Sequence, residues 1–395
     1  MIEHYRSSFN TLFSEKKYNA LIKNLEKGFV KIPFRVAETP VFIPEDLKKQ
    51  LIAAGAEIIA LIKQPDFKTL TKNAIPAEWN VADENDHPHF LAFDFGICKD
   101  PQGNLIPKLI EMQGFPSLYG FQAHLAKTYK TTFHLSNRLT PYFSGLNELQ
   151  YIDLLKEVIL GKHQPHEVAI MDIDAPKQKT LIDFLITSSF LGVKVLSLTD
   201  IFKEGRNLFY EENDKKVKLK RIYNRLIFDE IADQTGLFKD SFDPREPLNI
   251  EWITHPNWFY RISKYTIPFL KSKFVPETHF LNTITDIPFD LENYVLKPLF
   301  SFAGIGVIID VTPADISNIK DPQNWILQRK VIYEPVVKAP DDGIKVEIRL
   351  MYLWADGQEP KLCINLTRLS RGKMIGVRHN KDFDWVGGTI GLMED

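Results

Sequence analysis

The chain has 395 residues, 44% hydrophobic and 25% charged, with a formal net charge of −2 and two cysteines. That length exceeds what one hydrophobic core organises, so two or three domains are expected. The near-neutral charge gives no general support for a nucleic-acid partner. No run of about 18 apolar residues exists to cross a membrane. Cys98 and Cys363 share no metal-like spacing, and no basic-then-apolar leader opens the chain, so a reducing, cytoplasmic setting is the expectation.

Residues 1 to about 80 read as mainly helical, most clearly over 45–62, where apolar residues recur at three- and four-residue steps after Pro44. Residues 89–113 read as a β-hairpin. Phe90–Phe95 is one strand, the Asp-Pro and Gly-Asn pairs of 99–104 mark the turn, and Leu109–Gln113 returns. From about 150 to 245 short strands alternate with helical patterns, at 167–172, 177–191, 192–197 and 221–227. This suggests a small parallel αβ layer. No G-x-G-x-x-G follows its first strand, which argues against a dinucleotide there. The basic run 215–221 alternates with apolar residues and reads as a strand with a solvated face. A helix near His255–Leu270 and a series of hairpins complete the chain. The expected units are thus 1–148 (helices plus the acidic hairpin), 149–248 (the αβ layer) and 249–395.

Four constellations carry candidate chemistry. Residues i and i+2 of a strand share a face, so Glu111 and Gln113 aim oxygens at one point, and Asp94 joins them across the hairpin. Hard cations such as Mg²⁺ want oxygen donors of this kind. Lys297 sits in the apolar run Val295-Leu296-Lys297-Pro298-Leu299, and a lysine there needs a reason. The strand–loop–strand around it carries Gly304 and Gly306, which let backbone N–H groups approach phosphate oxygens, with Ser301 in the same loop. Lys264, in a helical pattern, is a second cation for a triphosphate. The strand 325–332 is a candidate linker beside an adenine ring, with Gln328 or Lys330 helping to read the base. Near the C-terminus, Lys345, Glu347 and Arg349 share one strand face, and Arg368 and Arg371 follow. Arginine suits carboxylates and phosphates because its planar fork bonds two oxygens. Each constellation has a plainer alternative: exposed polar residues, surface lysines, a core strand, or a solvated face with an ion pair. His255 reads as a helix-start residue, with acid–base chemistry as its alternative. Tyr223-Asn224-Arg225 lines a cleft or simply ends a strand.

In this order the residues resemble a circularly permuted ATP-grasp protein, similar to the synthetase domain of glutathionylspermidine synthase. The matching stretches are Asp94, then Glu111-Met112-Gln113-Gly114-Phe115-Pro116-Ser117, Ser263-Lys264, Leu296-Lys297-Pro298-Leu299, Leu327-Gln328 and a short strand at Arg368. The resemblance implies an α/β ATP-grasp fold with an inserted Rossmann-like pre-ATP-grasp domain. It implies ATP and Mg²⁺ as cofactors, with Asp94, Glu111 and Gln113 as metal ligands. Lys264, Lys297, Ser301, Gly304, Gly306, Gln328 and Lys330 would be nucleotide-binding, and Arg368, Arg225 and Arg349 catalytic. The implied reaction is a carboxylate–amine ligation through an acyl phosphate, on small-molecule or peptide substrates. A kinase on the same fold and a non-catalytic nucleotide-binding protein are the alternatives. Gln113 stands where the family has Asn, Ala92 where it has Arg, and the loop after Pro298 lacks an Arg-Glu pair. Glutathione and spermidine are therefore not carried over as substrates.

Overall fold

The computed structural model describes residues 1–227, 236, 238, 241–300, 304–339, 343–372, 380 and 383–395. It is a mixed α/β structure with several sheets. The 45–62 pattern folds as the helix Glu45–Ile62, whose Leu47, Leu51, Ala54, Ile58 and Ile62 stripe is buried. Glu45 and Asp46 in its first turn complement the helix dipole.

The largest sheet is antiparallel. Its order is Gly387–Thr389, Lys361–Ser370, Gly343–Leu353, Phe90–Lys99 and Leu105–Gln113, with Pro335–Lys338 pairing Gly343–Leu353. The early hairpin thus lies directly beside strands from the chain's last fifty-odd residues. Phe90–Lys99 is buried on both faces through Cys98, which explains its near-continuous apolar run. Asp94 is the ionisable exception within it.

The αβ expectation is met. Glu251–Ile253, Arg221–Asn224, Val168–Asp172 and Lys194–Ser197 form a four-stranded sheet in that order, all parallel. The helix Leu181–Leu191 connects the last two strands and ends at Gly192, whose φ is +74°. Lys215–Leu219 is a strand of a small antiparallel sheet with exposed lysines, as the basic run predicts.

A second antiparallel sheet has the order Thr278–Phe280, Trp325–Arg329, Tyr294–Pro298, Ile308–Ile309. It keeps its own small core of Leu281, Leu291, Tyr294, Leu296, Val311 and Leu327. One expectation fails locally. The helix expected over 255–270 is a short helix, Asn257–Arg261, then a 3₁₀ segment, Lys264–Phe269. The Ser263 side chain accepts a hydrogen bond from the Tyr265 N–H, and Pro268 offers no N–H, so an α-helical ladder cannot continue. Lys264 therefore begins a tight turn rather than riding a helix face.

Candidate functional site

The site grows from the centre of the large sheet. In the strand register Asp94 stands opposite Glu111 on one side and Arg349 on the other, while Glu347 stands opposite Arg368. A β-bulge follows Asp94 on the hairpin side. Asp94 is 1% exposed. Arg349 donates to both its oxygens, Nε to Oδ1 and Nη2 to Oδ2, each at 2.6 Å. Arg368 Nη2 adds a third bond to Oδ2 at 2.8 Å. Arg368 also pairs with Glu347, whose other oxygen accepts from the Tyr333 hydroxyl at 3.1 Å. Tyr333 packs so closely on Gly96 that a Cβ there would lie 2.7 Å from its ring, so only glycine fits that strand position.

Burial opposes ionisation of both carboxylates, with different outcomes. At Asp94 the two guanidinium groups outweigh burial and hold its carboxyl below the ordinary range. At Glu347 burial prevails over Arg368 and, helped by the nearby Asp94 charge, pushes its carboxyl up. Both arginines are driven further toward the charged form by these carboxylates.

Around this ionic knot lies a cavity of about 350 Å³, lined among others by Glu111, Gln113, Phe115, Arg225, Lys264 and Arg349. Gln113 Nε2 donates to Glu111 Oε1 at 3.1 Å, so the i, i+2 pair does meet on one face. Arg225 is buried and lies over Phe115 and Phe184, its guanidinium carbon 4.9 and 5.1 Å from their ring centres. Its Nη2 donates to Thr180 Oγ1 at 3.4 Å, while Nε and Nη1 have no partner among the described residues.

Lys297 ties the sheet of Tyr294–Pro298 and Trp325–Arg329 to the large sheet. Its ammonium donates to Gln328 Oε1 at 2.6 Å within the small sheet and to the Ile110 carbonyl of the hairpin at 3.1 Å. Burial, then the like charge of Lys264, lower its pKa to about 8 against the opposing pull of Glu111 and Glu347. Lys264 Nζ reaches the Leu299 carbonyl at 3.5 Å.

The structure thus gathers Asp94, Arg349 and Arg368 in one ionic network. Glu111, Gln113, Arg225, Lys264 and Arg349 line the adjacent cavity, while Lys297, bonded to Gln328 and to the Ile110 carbonyl next to Glu111, is outside its lining. Gln328 is spent on Lys297 and on Thr278 Oγ1, which its Nε2 reaches at 3.0 Å, so it acts on the lysine's position. Lys330 is apart from the cavity wall, paired with Asp310 at 2.6 Å and with the Glu292 carbonyl. Gly304 and Gly306 both adopt φ +74° in the turn before Ile308–Ile309, a region that glycine enters freely. Ser301 lies outside the described residues. His255 Nε2 meets the Ala82 carbonyl at 2.9 Å, its Nδ1 accepts from the Asn257 N–H at 3.3 Å, and burial lowers its pKa to about 4. That is the helix-start role rather than acid–base duty. Sequence reasoning missed Tyr333, Phe115 and Thr180. The signal available for Tyr333 was Gly96, an unexplained glycine inside an apolar strand.

The donor set for a cation divides in two. Asp94 has both oxygens engaged by guanidinium groups, so it offers no free face. Glu111 and Gln113 are the two of the set that line the cavity, joined by their own hydrogen bond. Among the described residues no group of three or more His, Cys, Asp or Glu side chains is arranged to hold an ion. Nor, among them, is any helix long and apolar enough to cross a membrane.

No protein-family model and no curated protein matches the chain. Among solved structures the chain is similar to a glutathione synthetase-like effector (GSS30) from Globodera pallida, solved in its apo form. The TM-score is 0.61 at 10% identity, covering 98% of this chain and 97% of that one. The likeness is one of overall fold along almost the whole length of both chains.

Proposed function

We propose that the chain is an ATP- and Mg²⁺-dependent carboxylate–amine ligase on a circularly permuted ATP-grasp fold. The observation that carries this reading is the convergence of Arg225, Lys264 and Arg349 with Glu111 and Gln113 on one cavity, beside a buried Lys297 that bridges the sheet of Tyr294–Pro298 and Trp325–Arg329 to the large sheet. A glutathione synthetase-like fold supports it.

The division of labour follows from charge. Lys297 and Lys264 hold the β- and γ-phosphates, and the Gly304–Gly306 turn closes over them. Glu111 and Gln113 hold the cation, which when bound screens the negative charge of the phosphates. Arg225, its guanidinium short of partners, takes the substrate carboxylate. That carboxylate attacks the γ-phosphorus, the bond to the β–γ bridging oxygen breaks, and ADP leaves. An amine then attacks the acyl carbon, phosphate departs, and the amine's proton goes to solvent. Arg349 and Arg368 steady the charge that develops, and the protein's share is positioning and electrostatics.

Binding without turnover is the second reading. The closure of Asp94 by two arginines favours it, because that removes one carboxylate from the cation's reach. The two are separated by incubating the protein with Mg-ATP and a panel of carboxylic acids, including short peptides, with hydroxylamine as the amine. Ligase chemistry yields ADP together with a hydroxamate. ADP with neither hydroxamate, amide nor inorganic phosphate, the phosphoryl group being found on the added compound, points to a kinase, and no ADP with any acid to a binding protein.

A further inference from the structure

We infer that Asp94 is a positioning residue for an arginine pair, and that the site takes its polyanionic ligand directly on arginine and lysine, with no cation held at Asp94. This rests on the anion-binding part of the proposed function and departs from its family-derived ligand set.

Three observations carry it. First, Asp94 Oδ1 accepts from Arg349 and Oδ2 from both Arg349 and Arg368, at 2.6 to 2.8 Å. Mg²⁺ approaches a carboxylate oxygen to about 2.0–2.1 Å and usually keeps several waters. A side chain 1% exposed has no space for such an ion, and two adjacent guanidinium charges repel it. Second, Glu347 is closed in the same way, with Arg368 on one oxygen and the Tyr333 hydroxyl on the other. Of the three carboxylates only Glu111 keeps a place on the cavity wall. Third, cations exceed carboxylates here. Arg225, Lys264, Lys297, Arg349 and Arg368 face Asp94, Glu111, Glu347 and, opposite Arg225, the buried Asp183, an excess of one. An environment with that surplus attracts an anion without a metal intermediary.

Asp94 then has a definite job. Arg349 and Arg368 come from adjacent strands and would repel each other across the sheet. The shared carboxylate holds them together and fixes the plane of Arg349, which lines the cavity. Arg349 uses Nε and Nη2 on Asp94, leaving Nη1 outside that fork. The ligand class is an oligophosphate or another multiply charged anion.

The test is calorimetric titration of the EDTA-treated full chain with ATP and with inorganic tripolyphosphate, then again in millimolar Mg²⁺. The inference predicts binding in EDTA within roughly tenfold of that in Mg²⁺, the span of about one charge-assisted contact. Asp94→Asn should weaken both titrations by the same factor, because the arginines lose their anchor whether or not metal is present. Binding that vanishes in EDTA and returns with Mg²⁺ overturns the inference, as does an Asp94→Asn defect confined to the Mg²⁺ titrations. If the variant does not fold, the metal dependence of the unmodified chain decides alone. Tripolyphosphate binding without ATP binding sustains the inference and removes the nucleotide reading. Binding of neither anion removes both.

Discussion

Lys297 is only 8% exposed, and its burial predicts a pH signature. An ordinary lysine titrates near 10.5, and desolvation lowers this one to about 8. Between those values the unfolded chain holds a proton that the folded chain has released, so raising the pH through this window stabilises the fold. Below about pH 8 the full cost of burying the ammonium is present, on the order of 3 kcal/mol. Lys297→Met keeps a similar shape and removes the charge. It also leaves Gln328 Oε1 and the Ile110 carbonyl without a donor, but that loss is the same at every pH. The measurement is urea unfolding of both proteins at pH 7 and pH 10. The stability of the natural chain relative to the variant should rise by about 2.5 kcal/mol between them, from the linkage of a single site moved from 10.5 to 8. A difference that stays flat to within about 0.5 kcal/mol, the usual size of an inconsequential change, would refute the argument. It would mean that Lys297 keeps its proton through water or ion contacts in the free protein.

Three further outcomes follow from other parts of the molecule. Arg225→Gln should lower thermal stability, since it removes the positive charge that faces the buried Asp183 carboxylate. It should lower anion affinity by roughly tenfold or more in the same calorimetric titration. Gly306→Ala places a Cβ at φ +74° and 3.1 Å from Pro298 Cγ, and should lower stability by about 1–2 kcal/mol in denaturant unfolding. Arg221 is 3% exposed and bridges Glu251 at 2.6 Å and Asp356 at 3.1 Å. Glu251 and Asp356 are half-exposed and keep other partners, so Arg221→Met should cost about 1–3 kcal/mol, with the loss read from the melting temperature.

Local order was legible where residue period alone decides it. The helix Glu45–Ile62, the hairpin 90–113 and the parallel strands follow from apolar spacing and turn residues. So does the meeting of Glu111 and Gln113, since i and i+2 share a face in any register. What was not legible is lateral pairing. Arg349 reaches Asp94 across 255 positions of chain. A strand pattern says which side a residue faces but not which strand lies alongside, so Asp94 reads as a free carboxylate in sequence and is closed in the fold. Lys264 differs for a local reason, because the Ser263 hydroxyl and Pro268 override a helical spacing of apolar residues. Arg225 gained its significance from Phe115 and Phe184, rings brought over it from two distant segments.

The central claim is that the cavity beside Lys297 binds a nucleoside triphosphate. The most direct measurement is calorimetric titration of ATP, in Mg²⁺, into the natural chain and into Lys297→Met at pH 7. The account predicts saturable one-to-one binding by the natural chain and a loss of at least about tenfold in the variant, the worth of one charge-assisted phosphate contact. No heat of binding at millimolar ATP, or equal affinity in both proteins, would contradict it.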